Sequence, residues 1–148
     1  MKLKKWFIGA GILFVLIQFV PYGHDHENPA VVTEPNWADD WTRKTFMRSC
    51  GDCHSNETEW PWYSKIAPVS WLVAYDVKEG REHFNVSMWG HQKKNKGEDA
   101  AEEVEEGEMP PLPYLLMHPD SHLNDAEKRR FIERLKHTFG EDSDEDDN

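Results

Sequence analysis

Cys50-Gly51-Asp52-Cys53-His54-Ser55-Asn56, with Glu59-Trp60-Pro61-Trp62-Tyr63-Ser64 close behind it, is the stretch on which the reading of this chain turns. The chain holds two cysteines, so they cannot staple a 148-residue fold along its length and must be read locally. Two thiols three positions apart on a tight turn can each reach one edge of a flat ring. The adjacent imidazole then lies beneath that ring with a nitrogen facing its centre. Three other readings compete. A redox-active dithiol needs a βαβ context, and no such strands are legible. Half of a zinc site needs two further ligands, for which His24 with His26, or His118 with His122, are the poor candidates on offer. A simple disulfide is the third.

The C-x-x-C-H pattern is that of c-type haem attachment, and it is the reading we carry forward, with Cys50 and Cys53 as thioether links and His54 as an iron ligand. Iron held by one His needs a sixth ligand or an open face, and that choice decides the chemistry. Met109 is the first candidate, because Gly107-Glu108-Met109-Pro110-Pro111 sets a lone Met in a rigid polar stretch with no apolar neighbour. A gap-filling Met beside Leu112 is the bland alternative. His118 and His122, on the same loop, are rivals; His83 and His91 read as exposed polar side chains. Trp60, Trp62, Tyr63 and Trp71 are expected to line the ring, with an indole N–H or the phenol reaching a propionate, against ordinary core packing as the competing reading. Arg81 is a weaker propionate candidate.

Outward from this site the periodicity is helical. Asp39 or Asp40 can cap a helix carrying Trp41, Thr45 and Phe46 on one stripe. Ser70 can cap a helix through Val73, Ala74, Val77 and Gly80, and Asn85-Val86-Ser87 another around Trp89. Pro61 and Pro68 make residues 59–71 an aromatic loop. A turn at Asn95-Lys96-Gly97 precedes a short exposed helix stopped by Gly107, Met109 to Pro113 reads as rigid and extended, and Tyr114 to Met117 returns apolar groups to the core. Asn124 or Asp125 caps a last helix, with Phe131, Ile132, Leu135 and Phe139 on its buried face and Gly140 at its stop. Proline and charge interrupt every β-branched run, so the fold class is all-α.

The ends differ from the body. Lys2, Lys4 and Lys5 precede Trp6 to Val20, a run of 15 residues with Gln18 as its one strongly polar member. At about 1.5 Å per residue this covers roughly 22 Å, short of the ~30 Å hydrocarbon core, with snorkelling lysines able to extend it. No A-x-A-like site follows, so residues 1–22 are read as an uncleaved membrane anchor, with a cleaved signal as the alternative. The lysines then stay cytoplasmic and the rest lies on the outer side of the inner membrane, in the periplasm or its equivalent. Residues 23–35 read as a linker holding the domain away from the membrane, 36–140 as the domain, and 141–148, with six acidic residues, as a disordered tail. A net charge of −11 argues against nucleic-acid binding.

Taken together, Cys50-x-x-Cys53-His54-Ser55-Asn56, Trp60-Pro61-Trp62-Tyr63-Ser64, Ile66-Ala67-Pro68-Val69-Ser70-Trp71-Leu72, Asp76-Val77, Glu79-Gly80-Arg81, Asn85, Trp89, Glu108-Met109-Pro110-Pro111, Tyr114 and His118-Pro119 resemble the bacterial haem-binding domain family of exported c-type cytochromes. The likeness covers roughly residues 36–139. It implies one covalent haem in a cytochrome c-like helical domain, with His54 proximal and Met109 distal. The charged insertion at 93–106 and the acidic tail depart from the pattern, which leaves any shared partner open.

The expectation is therefore a membrane-anchored mono-haem cytochrome that passes single electrons to redox partner proteins, singly or within a larger respiratory complex. It is an electron carrier more than a catalyst. The alternative is a haem enzyme or gas sensor in which Met109 is absent from the iron or displaced from it. A third reading is a structural subunit of an exported complex.

Overall fold

The computed structural model describes residues 2–140, among which lie seven α-helices and no strand. The expected tail at 141–148 lies outside the described residues. In chain order the helices are α1 (Lys2–Ile17), α2 (Asp40–Ser49), α3 (Gly51–His54), α4 (Val69–His83), α5 (Ala100–Glu106), α6 (Leu112–Met117) and α7 (Asp125–Phe139). The all-α expectation is met, and among the described residues the one isolated β-bridge is the parallel pair Thr33 and Met88.

Local chemistry explains the helix starts. Asp39 caps α2, its carboxylate accepting the Thr42 N–H at 2.7 Å. Asn124 opens α7 with a full capping box: its side chain accepts the Ala126 and Glu127 N–H groups, and Glu127 Oε2 accepts the Asn124 N–H at 3.0 Å. Ser70 does not cap α4. That helix begins at Val69 behind Pro68, and the Ser70 hydroxyl is buried without a partner. Around Trp89 there is no helix, because the Asn85 side chain closes a turn on the Ser87 N–H at 2.9 Å instead.

Phe46 from α2, Phe131 and Leu135 from α7, Ala101 and Val104 from α5, and Phe84 with Val86 form the core, flanked by Trp37, Trp41, Trp89 and Phe139. Burying one such Phe or Leu contributes about 1.5–3 kcal/mol. Helix α5 is thus not the exposed helix its charges suggested, since Ala100, Ala101 and Val104 place one face inside. Helix α6 departs the other way: Leu112, Leu116 and Met117 stay exposed and add nothing to the core.

The segment at 23–35, expected as a spacer, is hydrogen-bonded along its length. His26 Nε2 meets the Ser64 carbonyl at 3.0 Å, Asn28 Nδ2 donates to the Thr58 carbonyl at 2.9 Å, Asn56 Nδ2 to the Ala30 carbonyl at 3.0 Å, and the Val32 N–H to the Ser87 carbonyl at 2.9 Å. Helix α1 carries the expected apolar run, yet no helix among the described residues is long and apolar enough to cross a membrane.

Candidate functional site

Helices α2 and α3 meet at Cys50, which closes one and opens the other. The turn is pinned on all sides. The His54 N–H donates to the Cys50 carbonyl at 3.0 Å, Ser55 Oγ to the Gly51 carbonyl at 2.7 Å, and Thr58 Oγ1 to the Asp52 carbonyl at 2.6 Å. Asp52 Oδ1 accepts the Glu59 N–H at 2.7 Å. Positions i and i+3 of one helical turn share a face. Cys50 and Cys53 accordingly line one cavity of about 670 Å³, within the ~300–1,000 Å³ usual for cofactor sites.

Both cysteines are free, and burial pushes each thiol up to about 12. At neutral pH they are thiols, unlike the low-pKa thiolate of a redox-active dithiol. Among the described residues no group of three or more His, Cys, Asp or Glu side chains is placed to hold a metal ion, so the zinc reading lacks its ligands.

His54 is buried, with its ring stacked on Phe84 at 4.2 Å. Its Nδ1 lies 3.2 Å from the Phe84 carbonyl oxygen. A carbonyl only accepts, so Nδ1 carries the proton and Nε2 keeps its lone pair for a metal. Burial lowers the His54 pKa to about 4, which keeps the imidazole neutral at pH 7.

Gly107 ends α5 in the left-handed region at φ 83°. The Glu108 and Met109 N–H groups then both donate to the Glu103 carbonyl, at 3.0 and 3.1 Å, and the chain turns so that Met109, Pro110 and Pro111 line the same cavity as His54. The Met109-Pro110 peptide is cis. Phe46, Val69, Leu72, Val73, Val77, Phe84, Val104 and Leu135 supply apolar wall.

The remaining wall is a polar network. Tyr63 Oη and His118 Nε2 share a hydrogen bond at 2.8 Å, His118 stacks on Tyr114 at 4.1 Å, and Tyr114 Oη donates to Asp52 Oδ2 at 2.8 Å. Burial raises the pKa of both phenols and of Asp76, which also faces the cavity. Tyr114 and Asp52 are residues that sequence reasoning missed. The four-residue spacing of Tyr114 and His118, which places both rings on one face of a turn, was the available signal.

Of the four aromatic residues expected to line the ring, Tyr63 alone lines the cavity. Trp60 stacks on His26 at 4.4 Å and donates to Asn28 Oδ1 at 3.1 Å, away from the cavity. Trp62 is 73% exposed, and Trp71 buries an unpartnered indole N–H elsewhere. Arg81 is consumed by the fold: it donates to the Ser55 and Glu27 carbonyls, Asn28 Oδ1 and Thr58 Oγ1. His83 and His118 reach the cavity; His91 and His122 do not line it.

The model of a haem-binding domain family matches residues 12–137, a span that contains every residue of the cavity wall. The chain belongs to the haem-binding domain family. Comparison with curated proteins and with solved structures gave no match in either case. As a haem-binding domain the chain takes haem as its cofactor, and the cavity suits such a ring: it is walled by apolar groups, presents two thiols from one turn, and offers the lone pair of a neutral imidazole.

Proposed function

We propose that this haem-binding domain is a mono-haem c-type cytochrome, carried on the outer side of the inner membrane by α1, that transfers single electrons between protein partners. The observation that carries the reading is that Cys50, Cys53, His54 and Met109 line one cavity. Cys50 and Cys53 would hold the ring by thioether bonds, each thiol adding across one vinyl group with its proton going to the other vinyl carbon, so attachment would need no oxidant.

When bound, haem supplies one-electron chemistry at iron. The protein holds it for that purpose: His54 is oriented by the Phe84 carbonyl and cannot swing away, and Met109 supplies a thioether, a soft ligand that favours ferrous iron and raises the potential. The anchoring role of α1 is supported by its exposed apolar side chains, among them Phe7, Leu13 and Leu16, behind three lysines.

The test is the visible spectrum of the oxidised and reduced protein with and without carbon monoxide. Six-coordinate low-spin spectra that survive the gas, and loss of the far-red sulfur-to-iron band with a lower potential in Met109→Ala, are expected. Rapid ligand binding by the unsubstituted protein would overturn electron transfer as its role, and an unchanged Met109→Ala spectrum would pass the sixth position to a histidine.

A further inference from the structure

Gln18 is the one strongly polar residue in the apolar run, and it is not idle. Its Nε2 donates to the Ala67 carbonyl at 3.0 Å while its Oε1 accepts the Ala67 N–H at 3.0 Å, a two-point lock between the base of α1 and a fully buried residue of the haem domain. Five residues on, Gly23 adopts φ +80° and packs so tightly that a Cβ there would stand 2.6 Å from the Ser70 carbonyl oxygen. Helix α1 and the start of α4 are therefore joined without slack.

What surrounds this joint is apolar and open. On the α1 side Phe19 is 80% and Tyr22 50% exposed; on the domain side Trp62 is 73% and Ile66, next to Ala67, 38% exposed. Trp62 belongs to the 3-10 turn Trp62–Lys65 that leads into Ile66, and it lies outside the cavity wall. Lys65 is exposed on the same turn. Aromatic rings, one aliphatic side chain and a lysine at the foot of an apolar helix are the composition of a membrane–water interface.

We infer that this face, Phe19, Tyr22, Trp62, Lys65 and Ile66, rests in the headgroup layer of the bilayer that holds α1. The domain then lies flat on the lipid instead of standing off from it. The inference rests on α1 being the membrane anchor. The shortness of the apolar run works in the same direction, because an apolar stretch shorter than the ~30 Å hydrocarbon core draws its flanking residues into the interface.

The test uses the full haem-loaded chain in phosphatidylcholine vesicles, with a nitroxide on Trp62→Cys or on Glu133→Cys, an exposed α7 position, and unsubstituted protein as background. Flotation with the vesicles is measured first; failure to float removes the anchor and the inference with it. In floating protein the label at 62 is expected to show a several-fold lower ratio of collisions with an aqueous nickel chelate to collisions with oxygen than the label at 133. Equal ratios at the two positions overturn the inference while leaving the anchor standing. Spin–spin broadening at 62 that persists as lipid is added assigns the face to a second copy of the chain and also overturns it.

Discussion

A Cβ on Gly80 would stand 2.6 Å from the carbonyl oxygen and 2.9 Å from the Cβ of Cys53. Helix α4 thus lies directly against the thiol-bearing turn, and only a residue without a side chain permits that approach. In an ordinary exposed helix Gly→Ala gains up to about 1 kcal/mol. Here the clash is with backbone, so Gly80→Ala is expected to destabilise by about 1–3 kcal/mol, seen as a lower thermal midpoint. A midpoint raised by the substitution would show that the contact does not constrain α4.

The polar wall of the cavity gives a second prediction. Tyr63→Phe keeps the ring and removes the hydrogen bond to His118, at a cost of about 1 kcal/mol in chemical denaturation. Because His118 also stacks on Tyr114, His118→Ala should cost more than Tyr63→Phe. Equal stability of both variants with the unsubstituted protein would mean that the network is not formed in solution.

Acid should weaken the fold through two groups that act in the same direction. His54 has a pKa lowered from 6.5 to about 4 by burial, so the unfolded chain takes up a proton that the folded chain refuses between those values. In the haem-free chain, where no iron occupies Nε2, stability is expected to be flat above pH 6.5 and to fall by up to about 3 kcal/mol as pH drops toward 4. The Glu34 carboxyl is held below its ordinary value of 4.5 chiefly by its hydrogen bond from Arg43, and its contribution, full above that value, is lost as pH falls from it through the lower value of the folded chain. Urea midpoints of the haem-free chain should decline as pH falls from 6.5, and a maximum near pH 5 would contradict the His54 assignment.

Asn124 offers a fourth test, at the helix that closes the core. Removing its side chain in Asn124→Ala deprives two N–H groups of their acceptor and breaks the capping box, which costs about 1 kcal/mol, readable as a lower thermal midpoint. A midpoint equal to that of the unsubstituted protein would show that the box adds nothing to α7.

Where the sequence carried local chemistry it could be read directly: the caps at Asp39 and Asn124, the buried Phe131 and Leu135 at helical spacing, and the C-x-x-C-H turn. What it hid depends on long-range pairing. Nothing in the composition of 23–35 says that Asn28 and Ala30 find partners at Thr58 and Asn56. Trp60 and Trp62 read as ring-lining because indole is large and apolar, but composition does not say which face of a proline-bound loop turns inward. The charges of α5 likewise masked the small apolar stripe of Ala100, Ala101 and Val104, because alanine contributes little to an apolar signal.

Whether haem is bonded to Cys50 and Cys53, as proposed, is read by denaturing protein purified from a host competent in cytochrome maturation and extracting it with acidified acetone. Colour and the mass of one haem are expected to stay with the 17.4 kDa chain, with neither thiol open to alkylation. Haem in the solvent, beside a colourless chain with two alkylated cysteines, would contradict it.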